Sequence, residues 1–290
     1  MNTLFELLRL MRPHQWVKNG FVFTGLLFGH AWHDNSLVWQ VVVAAMSFCL
    51  VSSSIYIVND IADREQDKLH PAKRNRPLAA GTVSVASGAI LSFLLAVAAF
   101  ALALWVSVDT LLIVSCYAVM NLAYSFRLKH VVLLDVFIIA AGFMLRILAG
   151  TIGVDIPPSQ WLLLCGLMVT LFLGFSKRRA EIIALTDEKS SHRKVLEHYS
   201  AILLDNLIVV TASGVIMSYS LYTMNPDTIR IQGTANLIYT VPFVMYGVFR
   251  YIYLLHHQSG GGDPSRDLAR DSHMLSVVGG WLIVTIWMIS

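Results

Sequence analysis

Charge is scarce in this chain: only 13% of its 290 residues are Asp, Glu, Lys or Arg, while 56% are hydrophobic and the mean hydropathy is +0.65. So few charges cannot clothe a soluble domain of this size, which excludes an ordinary water-soluble protein and implies a chain embedded in lipid. Cysteine is also sparse. Cys49, Cys116 and Cys165 fall in apolar stretches with neither metal-ligand spacing nor an evident disulfide partner, and His256-His257 lack a third donor at ligand spacing, so a zinc site is not expected. The first ten residues lack a basic segment leading into a short apolar run and a small-residue cleavage site, so no removable signal peptide is expected. No repeat and no low-complexity tract occurs apart from Gly260-Gly261-Gly262. A single membrane domain over 1–290 is expected, with no nucleic-acid partner and with homo-oligomerisation left open.

Long apolar runs are what the chain has in abundance. Segments long enough to cross a bilayer lie at about 15–33, 37–58, 84–106, 108–126, 131–152, 158–176, 200–222, 235–255 and 273–289. They are continuous rather than alternating, which favours helices over a barrel: an all-α, multi-pass bundle of nine transmembrane helices. Of the 21 Lys and Arg residues, 19 fall in the amino-terminal segment and the even-numbered connections; Arg230 lies on the other side and Arg146 inside a helix. The positive-inside bias therefore places the amino terminus and the loops at 60–83, 177–199 and 256–272 in the cytosol, at the inner face of the cell membrane, and the carboxyl terminus outside. Binding to anionic headgroups accounts for many of these basic residues but not for the carboxylates among them.

Those carboxylates cluster where the second span ends, in Asn59-Asp60-Ile-Ala-Asp63-Arg-Glu-Gln-Asp67. On a continuing helix, positions 60, 63 and 67 share one face, with Asn59 beside Asp63. Like charges so close are unfavourable unless a cation neutralises them, and Mg²⁺ suits a few carboxylate oxygens plus waters and phosphates. The bland alternative is a solvated helix end with Asp60 paired to Arg64. Against it stands the continuation His70-Pro71-Ala-Lys73-Arg74-Asn-Arg76-Pro77, which sets cations beside the acids. Acids for a metal and bases for phosphate oxygens are what a diphosphate requires.

The stretch 59–81 resembles the first aspartate-rich motif of the UbiA superfamily of intramembrane prenyltransferases, and within it the polyprenyl-phosphate (decaprenyl-phosphate) phosphoribosyltransferase branch. The resemblance extends through Arg12-Pro-His-Gln-Trp16-Val-Lys18-Asn19, Tyr124-Ser-Phe-Arg-Leu-Lys129, Gly142-Phe-Met-Leu-Arg146-Ile-Leu-Ala-Gly150, Lys177-Arg178-Arg179-Ala-Glu181 and Leu196-Glu197-His-Tyr199. It implies nine helices around a central cavity open to cytosol and lipid. It also implies a Mg²⁺-dependent transfer of 5-phosphoribose from phosphoribosyl pyrophosphate to a polyprenyl phosphate, for cell-envelope sugar synthesis. Aromatic prenyltransferases of the superfamily carry a second aspartate motif after the sixth span; Ser176-Lys177-Arg178-Arg179-Ala180-Glu181 stands there instead, which favours a donor with more phosphate. The alternatives are a prenyl transfer from prenyl diphosphate to an aromatic or tetrapyrrole acceptor and, more remotely, transport of an anionic lipid or solute, which predicts charge deep in several helices.

The expected roles follow. Asp60, Asp63 and Asp67 are the catalytic, metal-holding carboxylates, assisted by Asn59, with Lys73, Arg74 and Arg76 on the phosphates. Arg146, a charge inside a span, is expected to line the cavity and meet an anionic group; Asp135 lies on nearly the same face, so an ion pair is its structural alternative. Lys18, Asn19, Tyr124 and Lys129 sit at helix ends where interfacial anchoring competes with substrate binding. Lys177, Arg178 and Glu181 suit a phosphate pocket closed by a loop. Asp263, Asp267 and Asp271, interspersed with Arg266 and Arg270, read at least as well as a solvated turn and stay outside this set.

Overall fold

The computed structural model describes residues 3–69, 73–187, 198–257 and 270–289. Among the described residues it is all-helical, and its contacts divide the chain into two compact units: Met1–Leu128 with Leu145–Pro158, and Lys129–Met144 with Ser159–Ser290. Among the described residues, eight helices are long and apolar enough to cross a membrane.

The first unit opens with α1 (Thr3–Met11), a 3-10 helix (Pro13–Phe23) and α2 (Thr24–Phe28), followed by α3 (Asn35–Ala62), α4 (Arg64–Leu69), α5 (Val85–Val106) and α6 (Val108–Phe126). Helix starts are marked by side chains that satisfy otherwise unpaired amides: Asp34 caps α3, Ser84 caps α5 and Ser107 caps α6. The packing of α3 against α5 uses the small residues that membrane helices require. Ser47 donates to Ala99 O at 2.8 Å, Ser54 and Ser92 meet at 2.9 Å, and the small residues Gly88, Ala99 and Ala103 of α5 are buried.

The span expected at 15–33 is the one that does not form a long apolar α-helix among the described residues: Pro13–Phe23 is 3-10 helix and only Thr24–Phe28 is α-helical. At about 2.0 Å per residue the 3-10 helix rises about 22 Å and α2 adds about 7.5 Å, together about the thickness of a bilayer core. The tighter winding has a packing reason. Three residues of 3-10 helix and four of α-helix each rise about 6 Å, so Trp16 and Asn19 meet Ser53 and Cys49 of α3 in step: Trp16 Nε1 donates to Ser53 Oγ at 3.0 Å and Asn19 Nδ2 to Cys49 Sγ at 3.1 Å. Val22, one further turn on, is fully buried.

Helix α7 (Leu134–Ala149) begins in the second unit and ends in the first. The second unit continues with α8 (Gln160–Asp187), α9 (Ala201–Met224), α10 (Pro226–Gln232), α11 (Val241–His257) and α12 (Ser272–Ile289). Its core gathers Val136 and Ala140 of α7 with Phe172 and Phe175 of α8, Leu204, Ile208 and Val215 of α9, and Tyr251 and Leu254 of α11. Helix α8 outruns the expected span end at 176, so Lys177, Arg178 and Glu181 are helical residues and not members of a loop. Its polar extension stays helical because Arg178 and Arg179, both buried, have carboxylate partners within the same unit.

Candidate active site

In the first unit the acidic cluster stands where α3 gives way to α4. Asp63 leaves helical geometry at φ −89°, ψ 3°, so the helix does not run on through 67 as the spacing suggests. The break is shallow. Asp63 N still donates to Asn59 O at 2.8 Å and Asp67 N to Asp63 O at 2.9 Å, which keeps Asp60 and Asp67 on one side. Both are buried, at 3% and 2% exposure.

Burial of two carboxylates is unfavourable without charge partners, and the partners arrive from both chain directions. Arg76 Nη1 donates to Asp60 Oδ1 at 3.1 Å and to Asp67 Oδ2 at 2.7 Å, bridging them. Lys73 Nζ lies 3.9 Å from Asp67 Oδ1. Arg12 Nη2 donates to Asp60 Oδ1 at 2.5 Å, with its guanidinium 5.2 Å from the Tyr56 ring centre. The segment bearing Lys73 and Arg76 is held from beneath by Leu78, Ala79 and Val83, all buried, and by Arg64 Nε donating to Leu78 O. Arg9 Nη2 donates to Asn75 O and Thr82 Oγ1 to the Glu6 carboxylate, tying α1 to the same segment. Arg74 is exposed.

Arg12 was absent from the expected set although it contacts the cluster directly. Its backbone, at φ 55° and ψ 58°, is left-handed, a conformation that a non-glycine residue adopts at a cost. The sequence carried a faint signal, an Arg before Pro at a helix boundary, but its partner is 48 residues away.

Deeper in this unit Arg146, 5% exposed, directs Nε to Asn19 Oδ1 at 2.7 Å and Nη2 to Tyr117 OH at 2.8 Å. Asp135 is not its partner. Lys18, on the 3-10 helix, and Tyr124, on α6, are half-buried.

In the second unit Asp135, fully buried, accepts from Arg178 Nε and from Tyr199 OH, each at 2.7 Å, while Arg178 Nη1 donates to the Glu181 carboxylate. Tyr199 OH also accepts from Leu133 N at 2.7 Å. Burial, and then the Asp135 hydrogen bond, raise the Tyr199 hydroxyl well above the usual phenol range, so it stays a proton donor at any working pH. Arg179 bonds the Asp205 carboxylate and Leu255 O. Lys177 is exposed, and Lys129 is half-buried in a short 3-10 turn, Leu128–His130. Asp271 is not a loose turn residue: it pairs with Arg250 Nη2 at 2.7 Å and caps α12 through Met274 N. His70, Pro71, Glu188, Leu196, Glu197, Asp263, Asp267 and Arg266 lie outside the described residues.

Among the described residues no three Asp, Glu, His or Cys side chains surround one cation position. The donors at the α3–α4 junction nonetheless suit magnesium. They are all oxygen, Asp60 and Asp67 supply the one or two carboxylates such a site uses beside substrate phosphates, and Asn59 Oδ1 is shielded from solvent without a hydrogen-bond partner.

A helical membrane scaffold with acids and bases gathered at one helix end is the architecture of an intramembrane transferase, and the chain belongs to the UbiA prenyltransferase family, whose profile matches residues 20–269. It is therefore an integral membrane protein of an enzyme family. It is 36% identical over 230 residues to the decaprenyl-phosphate phosphoribosyltransferase of Mycolicibacterium smegmatis, covering 78% of this chain and 72% of that protein. To the protein of the same name from Corynebacterium glutamicum it is 32% identical over 285 residues, 96% of this chain and 84% of that one. A UbiA homolog from Archaeoglobus fulgidus, solved bound to GPP and Mg²⁺, shares the fold at a TM-score of 0.74 and 16% identity, covering 98% of this chain and 99% of its own.

Proposed function

We propose that this chain transfers the 5-phosphoribosyl group of phosphoribosyl pyrophosphate to a polyprenyl phosphate, decaprenyl phosphate in the first instance, and releases diphosphate. The observation that carries the reading is the carboxylate pair Asp60 and Asp67 held by Arg12, Lys73 and Arg76. The names of the two bacterial relatives support the phosphoribosyl group and the acceptor.

Asp60, Asp67 and Asn59 Oδ1 are the groups that would hold Mg²⁺, with Asp63 at the helix break as the third carboxylate. When bound, the metal would offset charge on the leaving diphosphate. Arg12, Lys73 and Arg76 donate to the diphosphate oxygens in the same sense, and Arg74, exposed on the same segment, draws the donor in.

As the bond from ribose C1 to the diphosphate oxygen breaks, its electron pair leaves with the diphosphate and the sugar gains oxocarbenium character. An acceptor phosphate oxygen closes on the opposite face of C1 and inverts it. That oxygen is already ionised, so the acceptor needs placement more than deprotonation, and Lys18 and Tyr124 are the first-unit groups proposed for it. In the second unit Lys129 and Lys177 are proposed as phosphate-binding cations, with Arg178 and Glu181 shaping the end of α8. The amino terminus and these helix ends face the cytosol in this reading, where a water-soluble donor is available.

The test uses purified protein in lipid with labelled phosphoribosyl pyrophosphate and polyprenyl phosphate, beside labelled prenyl diphosphate with aromatic or tetrapyrrole acceptors. Label should enter the lipid product only in the first arm, should depend on Mg²⁺, and should fall about 100-fold or more in Asp60→Asn. Transfer in the prenyl arm alone, or an undiminished Asp60→Asn enzyme, would overturn the reading.

A further inference from the structure

Arg146 is a cation buried among apolar side chains, at 5% exposure, and two of its donors go to the neutral acceptors Asn19 Oδ1 and Tyr117 OH. Its guanidinium also lies 4.7 Å from the Tyr117 ring centre and 5.7 Å from that of Phe48. The consequence falls on Asn19, 2% exposed, whose amide is gripped at both ends: the oxygen by Arg146, the nitrogen by Cys49 Sγ. In a 3-10 helix residues three apart eclipse one another, so fixing the azimuth of Asn19 fixes Trp16 and Pro13 as well.

Two side-chain anchors hold the roll of this helix, Trp16 Nε1 on Ser53 Oγ and the doubly bonded Asn19 amide, and backbone contact holds its far end against sliding. A Cβ on Gly150 would meet Val22 O at 1.6 Å, and one on Gly25 would meet Gly150 O at 1.8 Å, so backbone touches backbone there. At the opposite end Arg12 leaves the helix in a left-handed conformation and reaches Asp60. The reach of Arg12 thus depends on rotation about an axis along which Arg146 acts from about 14 Å away, seven residues at about 2.0 Å each.

We propose that Arg146 is a positioning residue for the donor site: by gripping Asn19 it sets the roll of the 3-10 helix and so aims Arg12 at Asp60 and the donor diphosphate. The inference rests on the assignment of the Asp60 cluster to diphosphate. It gives Arg146 a role exerted through the protein and not by contact with substrate.

A double-mutant cycle between Arg12 and Arg146 tests it, read as the affinity of full-length protein in detergent for inorganic diphosphate with Mg²⁺, and as the separate KM values of donor and acceptor. Arg146→Leu should weaken diphosphate on the order of tenfold, raise the donor KM and leave the acceptor KM unchanged. In an Arg12→Gln background the same substitution should have no further effect on diphosphate, because the group it aims is gone. Arg146→Lys, which keeps the charge and a donor for Asn19, should recover part of the loss and allows the cycle to be run if the leucine variant does not fold. Additive losses, an unchanged diphosphate affinity, or a shift confined to the acceptor KM would overturn the proposal. If Asp60→Asn and Arg12→Gln both keep wild-type diphosphate affinity, the diphosphate assignment itself fails, a result distinct from failure of the Arg146 coupling.

Discussion

Removing the charge of Asp135 should destabilise the protein more than removing Asp135 and Arg178 together. Asp135 is fully buried and Arg178 has 2% side-chain exposure, so neither charge has water to fall back on. Breaking such a pair from one side costs about 3–5 kcal/mol, whereas replacing both members by groups of similar shape is often neutral or stabilising. Asp135→Asn preserves the volume and the acceptor for Tyr199 OH, and Arg178 keeps its contact with Glu181, whose side chain is 28% exposed. These two residual contacts put the single substitution at the low end, about 3 kcal/mol. The double variant Asp135→Asn/Arg178→Met should regain at least about 1 kcal/mol of that loss. The assay is denaturant unfolding of detergent-solubilised protein followed by tryptophan fluorescence, with donor KM measured alongside. Equal destabilisation of single and double variants, or a single variant within about 0.5 kcal/mol of wild type, would refute the claim that this pair is an internal strut. Loss of donor affinity in a well-folded double variant would show that Arg178 also handles phosphate.

Gly150→Ala should cost more than about 3 kcal/mol, since its Cβ would collide with backbone at Val22 and not with a yielding side chain. Gly20→Ala, where nothing lies within 4 Å, should be tolerated, and thermal melting of the two variants makes the comparison. Arg76→Gln removes the cation that bridges Asp60 and Asp67, so free Mn²⁺ should bind about tenfold tighter while diphosphate binds more weakly. Paramagnetic resonance on Mn²⁺ with and without diphosphate reads both effects, and parallel changes in the two affinities would count against the assignment. The Arg250 guanidinium beside Asp271 holds that carboxyl below the usual range. A depressed folded-state value means that its contribution is present above the ordinary carboxylate pKa and disappears as pH falls through the folded one. The protection of amides at the start of α12 against exchange, corrected for the slower intrinsic exchange in acid, should therefore fall as pH drops, and Asp271→Asn should remove that acid step.

Hydropathy alone was enough to place eight crossings, because a helix surrounded by lipid must be apolar all round and the lipid sees only the sum. The runs at 84–106 and 108–126 coincide with α5 and α6 to within a residue. The same sum is blind to winding. Residues 13–28 have about the length of a crossing but, with His14, Gln15, Lys18 and Asn19 among them, not its hydropathy, and the 3-10 geometry of 13–23 is met by Ser53, Cys49, Arg146 and Gly150, which lie far along the chain. The extension of α8 past 176 was hidden for a related reason, since its arginines look like loop residues until their partners Asp135 and Asp205 are in place.

The candidate site divides along the same line. Asp60 and Asp67 were legible because their spacing is local, seven residues on nearly one helix, and the turn at Asp63 bends that helix without rotating them apart. Arg12 was not, because nothing within its own neighbourhood calls for a carboxylate. What unites the two is electrostatic. Arg12, Lys73 and Arg76 set three positive charges against two buried carboxylates, so Asp60 and Asp67 are already neutralised before any divalent ion approaches. A lone cation gains little by entering such a site, whereas a cation that arrives with a diphosphate brings the negative charge that releases the arginines to new partners. Basic residues that sequence spacing suggested only as phosphate ligands would therefore, on the proposed function, have a second consequence in the folded protein: metal and substrate should bind together or hardly at all.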